Sequence, residues 1–325
     1  MTPTLAVEDL SVDYTVTDRG GLWPRRRQVP ALRRIGFEIE PGETLGLVGE
    51  SGSGKTTAGR AILRRVETSG GRILFRGTDI THASGPALRR LRAEMQLILQ
   101  DPFTSLNPRM RIADIVGEPL LVHRRAASRA EMRDRVAALL EKVGLPADSG
   151  ARFPHAFSGG QLQRVGIARA LALRPGLVVA DEPVSALDVS VRAQVVNLMQ
   201  DIQRQEGLSY LFIAHDLAVV RHISHRVAIL YGGCMMEIAG RDAIYDNPRH
   251  PYTEALLSAV PVPDPPAQRL RRRSAPPAAA PDMAQPNAGC VYAARCPRAT
   301  GHCRAEAPPL AEIAPGHRVA CWHPL

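Results

Sequence analysis

Residues 44–57 read TLGLVGESGSGKTT, a short apolar run leading into Gly49, Glu50, Ser51, Gly52, Ser53, Gly54, Lys55, Thr56 and Thr57. The run fits the pattern G-x-x-x-x-G-K-[ST]. Its apolar half predicts a strand, and the periodicity from about Lys55 to Val66 predicts a helix. Glycines between the two let successive backbone N–H groups turn inward as an anion cradle, and the helix adds its positive dipole end. In that arrangement Lys55 reaches the β/γ-phosphates of a nucleotide and the Thr56 hydroxyl coordinates Mg²⁺. A plain glycine-rich turn is the competing explanation. Against it, the lysine slot holds one of only two lysines in the chain, the other being Lys142. A compact point charge, in a chain that otherwise uses arginine, suits a phosphate.

Working outward, Leu177–Glu182 (LVVADE) reads as a buried strand ending in two carboxylates. A parallel strand of this kind ends at a ligand crevice. Asp181 suits a Mg²⁺ shell and Glu182 suits a general base that polarises the attacking water. An Asp-Glu pair after a strand is otherwise an ordinary helix cap, and it is the phosphate loop upstream that favours the chemical role. Phe157-Ser158-Gly159-Gly160-Gln161 opens a helix running to about Leu173. Ser158 and Gln161 have capping-box spacing, so a well-capped helix explains them. Gly159 and Gly160 are poor helix formers, and they make sense where bare N–H groups approach an anion. A chain with one complete phosphate loop has no need of a second for its own nucleotide, so this helix end is expected to reach a neighbour's.

Taken in order, the loop at 49–57, Gln100 in LILQDP, FSGGQ at 157–161, VVADEP at 179–183, Ser185-Ala186-Leu187-Asp188 and His215 in FIAHD resemble the nucleotide-binding subunit of an ABC transporter. Phe157 stands where that family usually has leucine. The resemblance implies an α/β fold of the ABC-type P-loop NTPases. Such a fold has a mixed central sheet with helices on both faces, an antiparallel β subdomain and an inserted helical lobe. It also implies a head-to-tail pair of subunits, in which Ser158, Gly159, Gly160 and Gln161 face the partner's ATP. Gln100 is expected to contact Mg²⁺ and water, His215 to sense the γ-phosphate, Asp188 to shape the dimer contact, and Tyr14 to stack on adenine. The implied activity is ATP hydrolysis coupled to transmembrane transport.

The strand and helix patterns agree with that architecture. Residues 1 to about 80 alternate apolar runs with turns, as antiparallel strands do, with a loop expected from Asp18 to Pro30 around Arg25-Arg26-Arg27. Later strand candidates at 95–100, 176–181, 209–215 and 226–233 alternate with helical stretches such as Val189–Gln205, the pattern of a parallel sheet. Residues from about 102 to 173 carry helix signal only. The expected organisation is a nucleotide-binding domain at 1–255, a Pro/Ala-rich linker at 256–288 with eight prolines between Pro261 and Asn287, and a cysteine-bearing extension at 289–325.

Composition narrows the functional classes. With 325 residues, 45% of them hydrophobic and 22% charged, the chain can bury a full core. No stretch approaches the ~18 apolar residues of a membrane span, and the N-terminus lacks a signal-peptide pattern. The net charge of +9 sits largely in Arg25–Arg27 and Arg269–Arg273, and only 4% of residues are aromatic. Such runs are typically solvated loops, and base-stacking platforms are scarce, so a nucleic-acid partner is not expected.

Four of the five cysteines, Cys290, Cys296, Cys303 and Cys321, lie in the last 36 residues, and Cys234 reads as a buried strand residue. In a reducing compartment disulfides are disfavoured. Spacing alone leaves zinc, iron–sulfur and free thiols open. The stretch HPYTEALLSAVPVPDP (250–265) and the cysteine pattern after it resemble the C-terminal extension of the oligopeptide/dipeptide (and nickel) importer subfamily. That resemblance implies a [4Fe–4S] cluster on the four tail cysteines. The loop at 19–27 and NPRMRIADIVGEPL (107–120) resemble the F-type of the two ATPases such importers pair. The implied partners are a second ATPase subunit, a D-type paralogue, with two transmembrane permease subunits and an extracytoplasmic solute-binding protein. The implied location is peripheral, on the cytoplasmic face of the cell membrane. The alternative is a soluble ABC-type ATPase acting on nucleic acid or the ribosome. Such proteins usually carry two cassettes or a long coiled-coil insertion, and this chain has one cassette with a short lobe.

Overall fold

Leu177–Val179 and Leu211–Ile213 are inaccessible to solvent, as continuous apolar runs in parallel strands require. The structure, a computed structural model, describes residues 2–18, 25–259 and 288–325. The first elements are β1 (Leu5–Asp18), β2 (Arg25–Ile39), β3 (Thr44–Val48), α1 (Lys55–Ile62), β4 (Gly70–Phe75) and β5 (Thr78–Asp79). There follow α2 (Gly85–Glu94), β6 (Met95–Ile98), α3 (Pro102–Ser105), α4 (Ile112–Val122), α5 (Arg129–Lys142) and α6 (Gly159–Leu171). Next come β7 (Leu177–Asp181), α7 (Val189–Glu206), β8 (Ser209–Ala214), α8 (Leu217–Ile223), β9 (Arg226–Tyr231) and β10 (Cys234–Gly240). The last are α9 (Arg241–Asp246), α10 (Pro251–Ser258), α11 (Gly301–Ala305), β11 (Ala311–Ala314) and β12 (His317–Val319).

These elements form two units. The first holds Met1–Thr4, Ile39–Thr44 and His82–Ala214. In it β6, β7 and β8 run parallel, with Met95 opposite Leu177 and Leu177 opposite Ser209. Helix α7 follows β7 and buries Val195, Val196, Met199 and Ile202, a stripe at helical spacing. Each such aliphatic side chain contributes roughly 1.5–3 kcal/mol of burial. Gln203, buried beside them, donates its amide to Gly42 O at 3.0 Å and Thr44 Oγ1 at 2.7 Å, which answers its polar groups. Between Pro102 and Leu171 the chain forms α3 to α6 with two short 3₁₀ turns. Ser128 starts α5 cleanly, because its Oγ accepts from Glu131 N–H at 3.1 Å.

The second unit holds Leu5–Glu38, Leu45–Thr81 and His215–Leu325. It contains the sheet β2–β1–β4–β5, in which β4 pairs antiparallel with both β1 and β5. It also contains the strand run β11–β12–β10–β9–β3, where only β3–β9 is parallel. The cysteine-bearing tail thus adds two strands, through Glu237 opposite Val319 and Ile238 opposite Arg318.

Three local expectations are revised. Arg25–Arg27 lie in β2 rather than in a loop, because strand β2 continues alongside β1, where Thr15 Oγ1 donates to Gln28 Oε1 at 3.3 Å. Helix α1 stops at Ile62, short of Val66, because Arg64 turns left-handed at φ 52° and Arg65 N–H closes back on Arg60 O at 2.8 Å. Helix α10 runs past residue 255 to Ser258. Residues 19–24, the prolines of 261–287 and Arg269–Arg273 lie outside the described residues.

Candidate functional site

In the second unit, β3 delivers the chain into the loop at 49–54 and α1 receives it. A Cβ at Gly49 would overlap the carbonyl oxygen of Leu230 on β9, so no larger residue fits there. Gly54 supplies the left-handed cap of α1 at φ 103°, and no side chain caps this helix or places acid in its first turn. The helix thus starts without a side-chain cap, in contrast to α8, where Asp216 Oδ1 accepts from Ala218 and Val219 N–H at 3.0 and 3.3 Å. Lys55, only 6% exposed, folds into the loop and donates to Gly49 O at 2.7 Å and Glu50 O at 2.8 Å. An ammonium held over backbone carbonyls is the cradle's own counter-charge. Tyr14 on β1 lies 3.5 Å from Thr57 through their hydroxyl oxygens, which puts its exposed ring at the start of α1. Thr56 is half-buried in the first turn, and His215 is exposed just before α8.

In the first unit, the end of β7 carries Asp181 and Glu182, both half-buried. Glu182 has φ 50°, a left-handed backbone that a long side chain seldom adopts. It is held there because its N–H donates to Ile213 O at 2.9 Å and its carbonyl accepts the Ser185 hydroxyl at 3.1 Å. Strain of this kind concentrates at working sites. Gln100 Nε2 donates to Glu182 Oε2 at 3.0 Å, so these two sequence-expected residues meet. Ser158 and Gln161 form the complete capping box: Gln161 N–H donates to Ser158 Oγ at 3.4 Å and Ser158 N–H to Gln161 Oε1 at 3.0 Å. Both side chains are exposed.

The two glycines behind Ser158 differ. A Cβ at Gly160 would overlap Val191 Cγ1 on α7, so Gly160 is required by packing. At Gly159 the nearest atom, on Phe103, stands 3.6 Å from such a Cβ. Phe157 is buried in the slot where leucine is usual, and Asp188 is exposed at the start of α7.

In the tail, Cys290, Cys296, Cys303 and Cys321 all line one pocket with His250, Tyr292 and Trp322. Burial pushes the Cys290, Cys296 and Cys321 thiols up, whereas the Thr300 hydroxyl, 3.4 Å from its sulfur, pulls Cys303 down. Four thiols on one pocket are the right donor set for a soft metal group. Among the described residues, no three His, Cys, Asp or Glu side chains are gathered as a metal-binding group. Cys234, expected to be buried, is half-buried at the start of β10, and desolvation pushes its thiol up to about 11.

Three polar residues were not singled out from sequence. Glu237, fully buried on β10, takes His317 Nε2 at 2.7 Å, Arg249 N–H at 2.8 Å and His250 N–H at 2.9 Å. Tyr252 Oη accepts from Glu50 N–H at 3.1 Å. Arg295 donates through Nη1 to both Glu50 oxygens at 3.0 and 2.8 Å. Only the HPY stretch gave a signal for Tyr252. The contact between Arg295 and Glu50 spans 245 positions and has no local mark.

Comparison with known proteins shows the family. The ABC transporter family profile matches residues 32–185, and that of the oligopeptide/dipeptide transporter C-terminal region matches 236–303. The oligopeptide transport ATP-binding protein AppF of Bacillus subtilis is 50% identical over 305 residues, 93% of this chain and 92% of its own. The oligopeptide transport ATP-binding protein OppF of Salmonella typhimurium is 46% identical over 318 residues, 98% of this chain and 95% of its own. Among solved structures, the dimeric ATP-binding cassette MJ0796 bound to ADP and Pi aligns with a TM-score of 0.64 at 26% identity, covering 73% of this chain and 98% of that one.

Proposed function

The chain belongs to the ABC transporter ATP-binding family, in the branch that carries the oligopeptide/dipeptide C-terminal region, and from that membership we propose that it binds and hydrolyses ATP to power import of di- and oligopeptides through partner membrane subunits. The observation that carries the proposal is the uncapped N-terminus of α1 with Lys55 folded into the loop before it. Relatives that are similar over nearly their whole length bear the names of oligopeptide transport or putative peptide import ATP-binding proteins. The soluble ATPase of nucleic acid or the ribosome is not favoured, because residues 236–303 match a transporter region.

The roles follow from the residues. Residues 49–57 cradle the phosphates, Lys55 neutralises the β/γ-oxygens and Tyr14 stacks on adenine. Thr56, Gln100 and Asp181 would hold Mg²⁺, whose charge offsets that of the transferring phosphoryl group. Glu182 takes a proton from the attacking water, with Gln100 steering its carboxylate. His215 reads the γ-phosphate. Ser158, Gly159, Gly160 and Gln161 present their helix end to the partner's ATP, and Asp188 shapes that contact. ATP then binds the closed pair of ATPases better than the open pair, and this difference drives the membrane partners between states.

The partners in this reading are a D-type paralogue, two permease subunits and an extracytoplasmic solute-binding protein, with this chain docked on the cytoplasmic membrane face. No helix among the described residues is long and apolar enough to cross a membrane. Cys290, Cys296, Cys303 and Cys321 would hold a [4Fe–4S] cluster; the support is their shared pocket. A bound cluster would supply a cross-link that fixes the tail. An absorbance band near ~400 nm with stoichiometric iron in anaerobic protein is the expected result, and zinc in its place would refute it.

Co-purification of the tagged chain with two polytopic membrane proteins, and failure of a deletion strain to grow on peptides as sole nitrogen source, test the transport role. Normal growth on every peptide would overturn the substrate class.

A further inference from the structure

Glu50 is the one acidic residue in the loop 49–57. A carboxylate inside a cradle for an anion repels the ligand unless its charge is met. Here it is met from the tail. Arg295 Nη1 donates to both Glu50 oxygens, and the Arg295 side chain is 12% exposed against 35% for Glu50. The guanidinium lies over the Tyr231 and Tyr292 rings, 5.7 and 5.8 Å from their centroids. Tyr252 packs against both rings, at 4.6 and 5.2 Å, and its hydroxyl takes the Glu50 N–H. Tyr292 and Arg295 come from the tail, Tyr252 from α10 and Tyr231 from β9.

We propose that Arg295 is a positioning residue for the phosphate-binding loop: it neutralises Glu50 and, on a platform of three tyrosines, holds the carboxylate turned toward the tail. The inference rests on the reading of residues 49–57 as the nucleotide cradle and adds the tail as part of its wall. The cysteine-bearing extension, in this account, sets ATP affinity. It acts through Arg295, whose neighbour Cys296 faces the thiol pocket. No covalent step is involved.

The test is a two-residue cycle on the full chain, read as the dissociation constant of a trinitrophenyl-ATP probe, with thermal melting to verify folding. Arg295→Ala weakens binding about fivefold, the size expected for a partly exposed charge pair. In a Glu50→Gln background the same substitution changes binding by less than about twofold, because the charge that Arg295 answers is gone. A purely structural role for Arg295 would produce the same loss in both backgrounds, and that result overturns the proposal, as does unchanged binding by Arg295→Ala. If Arg295→Ala does not fold, Arg295→Gln replaces it in both backgrounds with the same expectations. A wild-type chain that binds no nucleotide would overturn the cradle reading and this inference together. Wild-type binding with no cycle coupling would overturn this inference alone.

Discussion

Gln100 Nε2 donates to Glu182 Oε2 at 3.0 Å, joining the end of β6 to the end of β7 through the carboxylate proposed as general base. Glu182 sits on a left-handed backbone, so its direction is set by the main chain and its rotation by Gln100. Glu182→Gln is expected to leave ATP affinity within a few-fold of wild type and slow hydrolysis by ~10²–10⁴. Single-turnover hydrolysis in the assembled transporter measures this, and near-normal turnover would remove Glu182 from the general-base role.

Lys55 is the buried cation of the loop, and its substitution acts earlier. Lys55→Ala is expected to weaken ATP binding roughly 10–100-fold, the worth of a charged hydrogen bond in a half-closed site. Titration with a fluorescent ATP analogue reads it directly. Unchanged affinity would mean that the ammonium only braces Gly49 and Glu50.

Gly160 packs against Val191 on α7, so Gly160→Ala is expected to destabilise the first unit by about 1–3 kcal/mol in urea unfolding. Val191→Ala removes the clashing methyl groups and should recover much of that loss when combined with it. A destabilisation that Val191→Ala does not reduce would show that the glycine serves some other purpose.

These substitutions fall where local pattern was informative. The loop at 49–57, the carboxylates after β7 and the Ser158–Gln161 box each depend on neighbours in sequence, and each was legible there. Gly160 was legible as an anomaly, but its cause, Val191, sits on another helix. The tail was opaque for a different reason. β11 is exposed along its whole length and β12 has three residues, so neither carries an alternating pattern; they exist because β10 offers them an edge. Glu237 reads as an ordinary surface carboxylate until His317 and two backbone donors close around it. Arg25–Arg27 look like a loop until β1 is laid beside them.

His250 offers a pH test of the tail's packing. Its Nδ1 accepts from Tyr252 N–H at 2.9 Å to start α10, and burial holds the imidazole down at about 4 against its ordinary 6.5. Between those values the unfolded chain binds a proton that the folded chain refuses. Stability is therefore full above about 6.5 and falls as pH drops toward about 4, by on the order of 3 kcal/mol from this group. His250→Asn keeps a capping side chain and should flatten that part of the profile. Identical wild-type and variant slopes between pH 4.5 and 7.5 would contradict the burial.

Shared gripping of each nucleotide by two chains is tested most directly by photolabelling. An assembled, Mg-ATP-trapped complex is labelled with a γ-phosphate-linked photoreactive ATP, in a form where this chain alone carries Lys55→Ala. The account predicts that label still reaches residues 158–161 of this chain, because the nucleotide there is held by the partner's loop, and that mutating the partner's loop lysine abolishes it. Label that disappears from 158–161 with Lys55→Ala, and survives the partner's mutation, would contradict the account.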